Sequence, residues 1–304
     1  MDSVKVQNFS RENPSTSAKV TLRLCGAHTP GRGTDLSYTI DRLRDFLELD
    51  GYSYRLRFDW ILREPKSWLT SNLPAHSFKP GRARHARRIE RRTASTLKLG
   101  AKPLWQGYGQ QGTVRTVDEV RTSARMGNLF TWLVLRRQPR VIVEFGTAFG
   151  TSGMYWLSGL ETSRSGKLFT FEPNAEWAAI ARENLLSISS RFELTTGTFE
   201  DNLQAVLGSQ APIDIGFIDA IHTTAFVLPQ FELVLQRLRP GGLVLFDNID
   251  FSEDMADCWR RVSQDARVRA AVSVAGHLGM VEMTGTGHNE ERRRSRGRDD
   301  GSCL

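Results

Sequence analysis

Val141-Ile-Val-Glu-Phe-Gly-Thr-Ala-Phe-Gly-Thr-Ser-Gly153 is the stretch that decides the fold. Val141 to Phe145 is apolar apart from Glu144 and rich in branched side chains, the pattern of a short buried strand. Three glycines come next, Gly146, Gly150 and Gly153, and then a helical pattern through Met154, Trp156 and Leu157. A strand, a glycine-rich turn and a helix start make a nucleotide-binding corner. Glycine lets the backbone turn sharply and leaves no Cβ between it and a ligand. The spacing is G-x-x-x-G-x-x-G with an acid two residues ahead of the first glycine, not the dinucleotide G-x-G-x-x-G. A purely structural turn has the same composition, so the loop needs support from the rest of the chain.

The residues downstream of the loop supply that support. Strand patterns at 167–171, 192–195, 213–218 and 243–246 alternate with helical patterns at 174–187, 199–207, 224–238 and 254–265. Two last strands fit 271–275 and 280–283. This alternation predicts a doubly wound, mostly parallel α/β sheet with helices on both faces and right-handed crossovers. Upstream, Thr116-Val-Asp-Glu119 reads as a capping box starting a helix that Pro139 ends. Residues 101–115, with Pro103, Gly107, Gly109 and Gly112, read as a linker. Residues 34–49 read as a helix, and a strand fits near Val20–Leu24. Residues 285–304, with Arg292, Arg293, Arg294, Arg296 and Arg298 among four acids, read as a disordered tail. The expected division is a basic extension over 1–115, a catalytic domain over 116–284, and the tail.

The charge is uneven. The chain has 304 residues and a formal net charge of +7. Residues 1–115 hold 21 Lys+Arg against 10 Asp+Glu, and residues 116–304 hold 20 against 24. Basic character therefore belongs to the N-terminal third. Within it, Arg84, Arg87, Arg88, Arg91 and Arg92 would share one face of a helix, a stripe able to meet RNA, an anionic membrane surface or an acidic protein. No aromatic residue is interleaved among them, which argues against stacking on single strands. There is no run of 18 apolar residues, and residues 1–19 lack the apolar segment of a secretory signal. Cys25, Cys258 and Cys303 are scattered, without metal-ligand or disulfide spacing, which points to a reducing, cytoplasmic setting.

In an open parallel sheet, ligands bind outside the carboxyl ends of the strands. Those ends carry the glycine loop, Glu172, Gly197-Thr-Phe-Glu-Asp201, Asp219 with His222, and Asp247-Asn248. Polar residues at all five argue for one shared site. Glu172 suits both hydroxyls of a ribose. If the fourth and fifth strands are neighbours, about 4.8 Å apart, two carboxylates and an amide oxygen converge, a donor set for Mg²⁺ or another hard divalent cation. Such an ion could bind a substrate hydroxyl and lower its pKa.

The glycine pattern resembles the first motif of the Rossmann-like methyltransferases that use S-adenosylmethionine. Phe-Ile-Asp219-Ala-Ile-His222, together with Leu238-Arg-Pro-Gly-Gly-Leu-Val-Leu-Phe-Asp247-Asn248, resembles the cation-dependent, catechol O-methyltransferase-like family and related bacterial small-molecule O-methyltransferases. The resemblance covers about 116–284. It implies a seven-stranded sheet whose last strand is inserted antiparallel. It implies Asp219, Asp247 and Asn248 as metal ligands. It implies Glu144, Gly146, Thr147, Gly150, Ser152, Glu172 and Asp219 at cofactor-binding positions, with Phe199 and Glu200 where the adenine is held. The family's catalytic lysine is replaced here by His222, a reasonable general base near neutral pH.

The implied activity is methyl transfer to a hydroxyl of a small molecule, with the sulfonium methyl in line with the acceptor oxygen and no covalent enzyme intermediate. Trp60, Trp68 and Trp105 are candidates for the acceptor's walls. Self-association as a homodimer is compatible with this reading. An RNA methyltransferase guided by the arginine stripe is less favoured, and a non-catalytic Rossmann-like binding protein is the third reading. The fourth strand lacks the Pro-Pro-Tyr sequence of base-amino methyltransferases. No cysteine stands at the end of the fourth or fifth strand to attack a pyrimidine.

Overall fold

The structure is a computed structural model, and it describes residues 20–21, 37–38, 55–108, 113–208 and 212–284. It divides into two units, 1–52 and 53–304. In the first, β1 (Val20–Thr21) pairs antiparallel with β2 (Ser37–Tyr38). The expected helix at 34–49 and tail at 285–304 lie outside the described residues, apart from β2.

In the second unit the strands are β3 (Leu56–Arg63), β4 (Ser77–Phe78), β5 (Lys102–Pro103), β6 (Val114–Arg115), β7 (Val141–Phe145), β8 (Lys167–Glu172), β9 (Phe192–Thr196), β10 (Ile213–Ile218), β11 (Leu238–Phe246), β12 (Val268–Val274) and β13 (Leu278–Met283). The helices are α1 (Trp68–Asn72), α2 (Ala86–Leu97), α3 (Val117–Val120), α4 (Ala124–Arg137), α5 (Thr151–Ser163), α6 (Ala175–Leu186), α7 (Phe199–Leu207), α8 (Thr224–Leu235) and α9 (Glu253–Ser263).

The central sheet runs β4-β3-β12-β13-β11-β10-β7-β8-β9. Its β11-β10-β7-β8-β9 part is parallel. β13 is inserted antiparallel between β11 and β12. The expected α/β class therefore stands, but the sheet has nine strands rather than seven. The two extra strands come from the basic N-terminal third. β3 pairs along β12 from Phe58↔Val274 to Arg63↔Ala270. The expected boundary at 115/116 cuts through this sheet, and the compact unit begins at Ser53. The expected linker at 101–115 contains a small antiparallel ladder, β5 with β6.

Burial follows the pleat. On β7, Val141, Val143 and Phe145 face one apolar layer with α7, α8 and α9, through Leu203, Phe231 and Met255. Ile142 faces the other layer, with Phe130 of α4, Trp156 of α5, Ala181 of α6 and Ile89 of α2. Every residue of β7 is buried, as expected of a central parallel strand covered on both faces.

The expected helix from 116 is two helices. The capping box forms, with Thr116 N–H donating to Glu119 Oε2 at 2.6 Å. The chain then turns extended at Arg121 (φ −81°, ψ 140°), held by Asp118 at 2.7 Å, and Ser123 caps α4 afresh. Similarly, α8 stops at Leu235 because Leu238 pairs with Ile213, ahead of a bulge, so β11 starts five residues before the expected Leu243.

Candidate active site

Strand order reverses at β7: its chain successor β8 lies on one side and β10 on the other. This is the switch point where an open α/β sheet leaves a crevice. The loop after β7 is built to fill little of it. Gly146 has φ +94°, and a Cβ there would stand 1.9 Å from the carbonyl oxygen of Asp219. The glycine therefore first lets the β7 and β10 ends approach each other. Gly146 N–H and Thr147 N–H donate to Phe171 O. Ala148 holds φ +45°, a turn fixed by its N–H donating to Glu172 Oε2 at 2.8 Å. Gly150, φ +81°, caps α5 and lies against Ala181 of α6. Phe149 between them is buried, stacked on Trp177 at 4.5 Å. Its carbonyl accepts from Asn184 Nδ2 at 2.9 Å.

Glu172 takes a second bond, from Asn174 N–H to Oε1 at 2.9 Å, so each oxygen already accepts one backbone donor. Burial pushes its carboxyl up to about 7, and those two bonds oppose the rise. Each oxygen keeps a second lone-pair site, which is what two ribose hydroxyls need.

Glu144 is placed differently. It points into the α-helical layer beneath α5, fully buried, accepting from Thr170 Oγ1 at 2.7 Å. Thr170 in turn bonds Thr147 Oγ1. Burial pushes the Glu144 carboxyl up to about 7, opposed by Thr170, Ser152 and Trp156. Thr147 and Ser152 are themselves buried, so this trio braces the glycine loop from below.

Because the folded carboxyl binds its proton more tightly than the unfolded one, Glu144 favours the native state below about pH 4.5. That advantage is lost as pH rises through about 7, by up to roughly 3 kcal/mol. Glu144→Gln should remain neutral throughout. Urea unfolding at pH 5 and pH 8 should show the variant gaining on the native protein as pH rises; equal pH dependence in both would contradict the buried-acid assignment.

The β10 and β11 ends deliver the acids. Ile218 pairs with Phe246, so the next residues, Asp219 and Asp247, stand side by side. Asp219 N–H donates to Phe145 O and Asp247 N–H to Ile218 O. Their side chains are 17% and 20% exposed, enough for a ligand to reach them. Burial, then the Asp247 carboxylate, holds Asp219 well above the carboxylate range. Burial also raises Asp247, opposed by His277 and by Asp219. Two carboxyl groups this close repel one another unless one is protonated or a cation lies between them.

Asn248 adopts φ +55° and donates its Nδ2 to His222 Nε2 at 2.8 Å. His222 Nε2 is also 4.0 Å from Asp219 Oδ1, and its ring is 5.4 Å from that of Phe251. Burial, then His277, pushes the imidazole down to about 4, so it is neutral at pH 7. Among the described residues no group of three or more His, Cys, Asp or Glu side chains is arranged to hold a metal. Asp219, Asp247 and the Asn248 amide oxygen would fit a hard cation completed by water or substrate.

Two residues escaped the sequence reading. His277, in the β12–β13 turn, bonds Asp250 Oδ1 through Nδ1 at 2.7 Å and lies 3.9 Å from Asp247 Oδ1. Its signal was the antiparallel insertion itself, which puts the start of the last strand beside the end of β11. Phe251, 67% exposed, is the large apolar side chain at the mouth.

Other expected residues are placed elsewhere. Phe199 is buried against Phe145 and Phe171, so its ring is spent on the core. Glu200 is exposed and accepts from Gln230 at 2.8 Å. Trp68 lies at the opposite end of the sheet, with Trp132 and under Arg137, and Trp60 packs mid-strand beside Val272. Of the three tryptophans expected as walls, Trp105 is the one beside the glycine loop: its neighbour Leu104 packs with Phe149 and Trp177.

Residues 143–249 match the model of a family described as a methyltransferase domain. Over those residues the chain is similar to a methyltransferase domain. The chain is 27% identical over 150 residues to a provisionally named O-methyltransferase of Mycobacterium sp. (strain JLS). It is 28% identical over 153 residues to one of Mycolicibacterium vanbaalenii. The matches cover 48% and 49% of this chain and 65% of each relative, so the chain spans just under two thirds of their length. The methyltransferase fold recurs in the crystal structure of a provisionally named O-methyltransferase from Klebsiella pneumoniae. That likeness has a TM-score of 0.51 and 20% identity, and covers 71% of this chain and 94% of the other. No helix among the described residues is long and apolar enough to cross a membrane.

Proposed function

We propose that the chain is an S-adenosylmethionine-dependent O-methyltransferase acting on a hydroxylated small molecule. The observation that carries this reading is the meeting of Gly146 with Asp219 at the sheet's switch point, with Asp247 alongside. The glycine loop and Glu172 would hold the cofactor's ribose and methionine side, and Asp219, Asp247 and Asn248 would hold a divalent cation. A bound cation supplies charge that makes an acceptor hydroxyl more acidic. Phe251 offers the acceptor an aromatic surface beside His222.

The chain's own groups do the positioning. Neutral His222 can take a proton at Nε2 once the Asn248 N–H gives up that lone pair. An Asp219 carboxyl held well above the carboxylate range is a poor base toward an acceptor hydroxyl. The names borne by the mycobacterial relatives support the choice of oxygen as acceptor.

Calorimetric titration with S-adenosylmethionine, with and without Mg²⁺, tests the reading. The native chain should bind the cofactor in both conditions. Glu172→Gln keeps the shape but offers one accepting oxygen where two backbone donors and a ribose converge. It should weaken cofactor binding by about 1–3 kcal/mol. Unchanged affinity in the variant, or no binding by the native chain, removes the cofactor assignment.

A further inference from the structure

The five arginines that the sequence puts on one helix face do not share one role. Arg88 Nη1 donates to Ser187 O at 3.0 Å, and Arg92 Nε donates to Asn184 Oδ1 at 3.0 Å. These two fasten α2 to the end of α6. Arg84 and Arg87 have no side-chain hydrogen bond or ion pair among the described residues. Arg91 gives Nε to the carbonyl of Arg87 at 3.3 Å.

Around them is a cavity of about 420 Å³, lined by Arg82, Arg84, His85, Arg87, Arg88 and Arg91, with two alanines. Five arginines therefore contribute to one lining, and Arg84 and Arg87 bring guanidinium groups with no other side-chain partner among the described residues. The acid nearest in sequence, Glu90, is taken by Arg82, at 2.8 and 2.9 Å. The cavity also sits over the start of α2, whose first turn holds no acid and whose cap residue, His85, makes no side-chain capping bond. A helix start carries partial positive charge, so the backbone adds to the field of the arginines. Burial, then Arg88 and Arg84, holds the His85 imidazole below its usual range, a separate sign of that field.

We propose that this cavity is a binding site for a compact oligophosphate, an anion with two or more linked phosphoryl groups. Guanidinium forks match phosphoryl oxygens in pairs, and several forks around one concavity need more than one phosphoryl group to engage them. The lining holds no aromatic ring on which a nucleobase would stack. Its only apolar side chains are Ala83 and Ala86, too little to enter a bilayer. The site is separate from the methyl-transfer cleft. His85 Nδ1 lies 3.2 Å from Ser158 Oγ, and Ser158 is about 12 Å along α5 from Gly150.

The test is calorimetric titration of the full chain with tripolyphosphate at fixed ionic strength. Binding should be at least about tenfold tighter than for orthophosphate, because one phosphoryl group engages fewer forks. The double variant Arg84→Ser, Arg87→Ser should lose at least about tenfold in affinity with an unchanged melting temperature. The Lys, Lys double variant should retain part of the binding, and S-adenosylmethionine affinity should not move. Should the serine pair fail to fold, Arg87→Gln alone carries the same expectation. Equal affinity in native and variant chains, or equal affinity for ortho- and tripolyphosphate, would overturn the proposal. So would tighter binding of oligouridylate or of phosphatidylserine vesicles than of tripolyphosphate.

Discussion

Gly146→Val should yield no stably folded central sheet. A Cβ at this position meets the Asp219 carbonyl oxygen at 1.9 Å and the Asp219 carbonyl carbon at 2.7 Å, and the residue holds φ +94°. Both obstacles are backbone, so no rotamer relieves them. The β7 and β10 ends would have to separate, breaking the bond from Asp219 N–H to Phe145 O. The cost should exceed about 4 kcal/mol, the range of exceptional single substitutions. Gly276→Ala is the control. It shares a positive φ, +74°, but has nothing within 4 Å of the added Cβ, and should cost about 1 kcal/mol. Thermal unfolding of the two variants separates close approach from backbone strain. A well-folded Gly146→Val protein that had merely lost cofactor affinity would mean that the β7 and β10 ends do not meet as described.

On the proposed function, Asp247→Asn should abolish most methyl transfer while leaving the protein as stable as before or more so. The substitution removes one of two carboxyl groups that crowd each other at the β10 and β11 ends and leaves an uncharged amide beside Asp219. Relief of that repulsion should be worth about 1 kcal/mol. The same change takes away a charge the proposed cation needs, which should lower the rate about a hundredfold or more. Chelator should slow the native enzyme and hardly affect the variant. A variant that keeps native activity, or a native enzyme indifferent to chelator, would remove the cation from the mechanism and leave His222 to act alone.

The sequence made the parallel sheet, its switch point and the pairing of Asp219 with Asp247 legible because each arises from local pattern plus strand alternation. Ile218 and Phe246 end their strands in register, and the residues next to them in the chain must meet. The burial of Phe199 was not legible, because a helix-start aromatic has the same surroundings in sequence whether its ring faces a ligand or the core. The nine-strand sheet was hidden for a different reason. β3 reads as a mixed run of arginine, aspartate and aromatic residues, because one of its edges is open to solvent beyond Arg57. Pairing with β12, more than two hundred residues away, is a tertiary fact that no local window contains. The same limit divided the arginine stripe: helical spacing put five side chains on one face, but only the packing of α2 on α6 decided which became fasteners.

The strand β3 also sets where this protein can be cut. A fragment starting at residue 116 would keep the glycine loop, Glu172 and the acids after β10 and β11, yet it would bare the outer edge of β12, where Ala270 to Val274 are now covered. That edge is apolar, with Ala270, Ala271, Val272 and Val274 fully buried in the intact chain. Two such fragments could satisfy each other only by joining edge to edge, the usual route to aggregates. In the intact chain the outermost long strand is β3 instead, and it shows solvent Arg57, Asp59 and Arg63, charges that discourage a further strand from adding. The shortest soluble piece should therefore begin at about residue 53, although the glycine-loop motif starts almost ninety residues later.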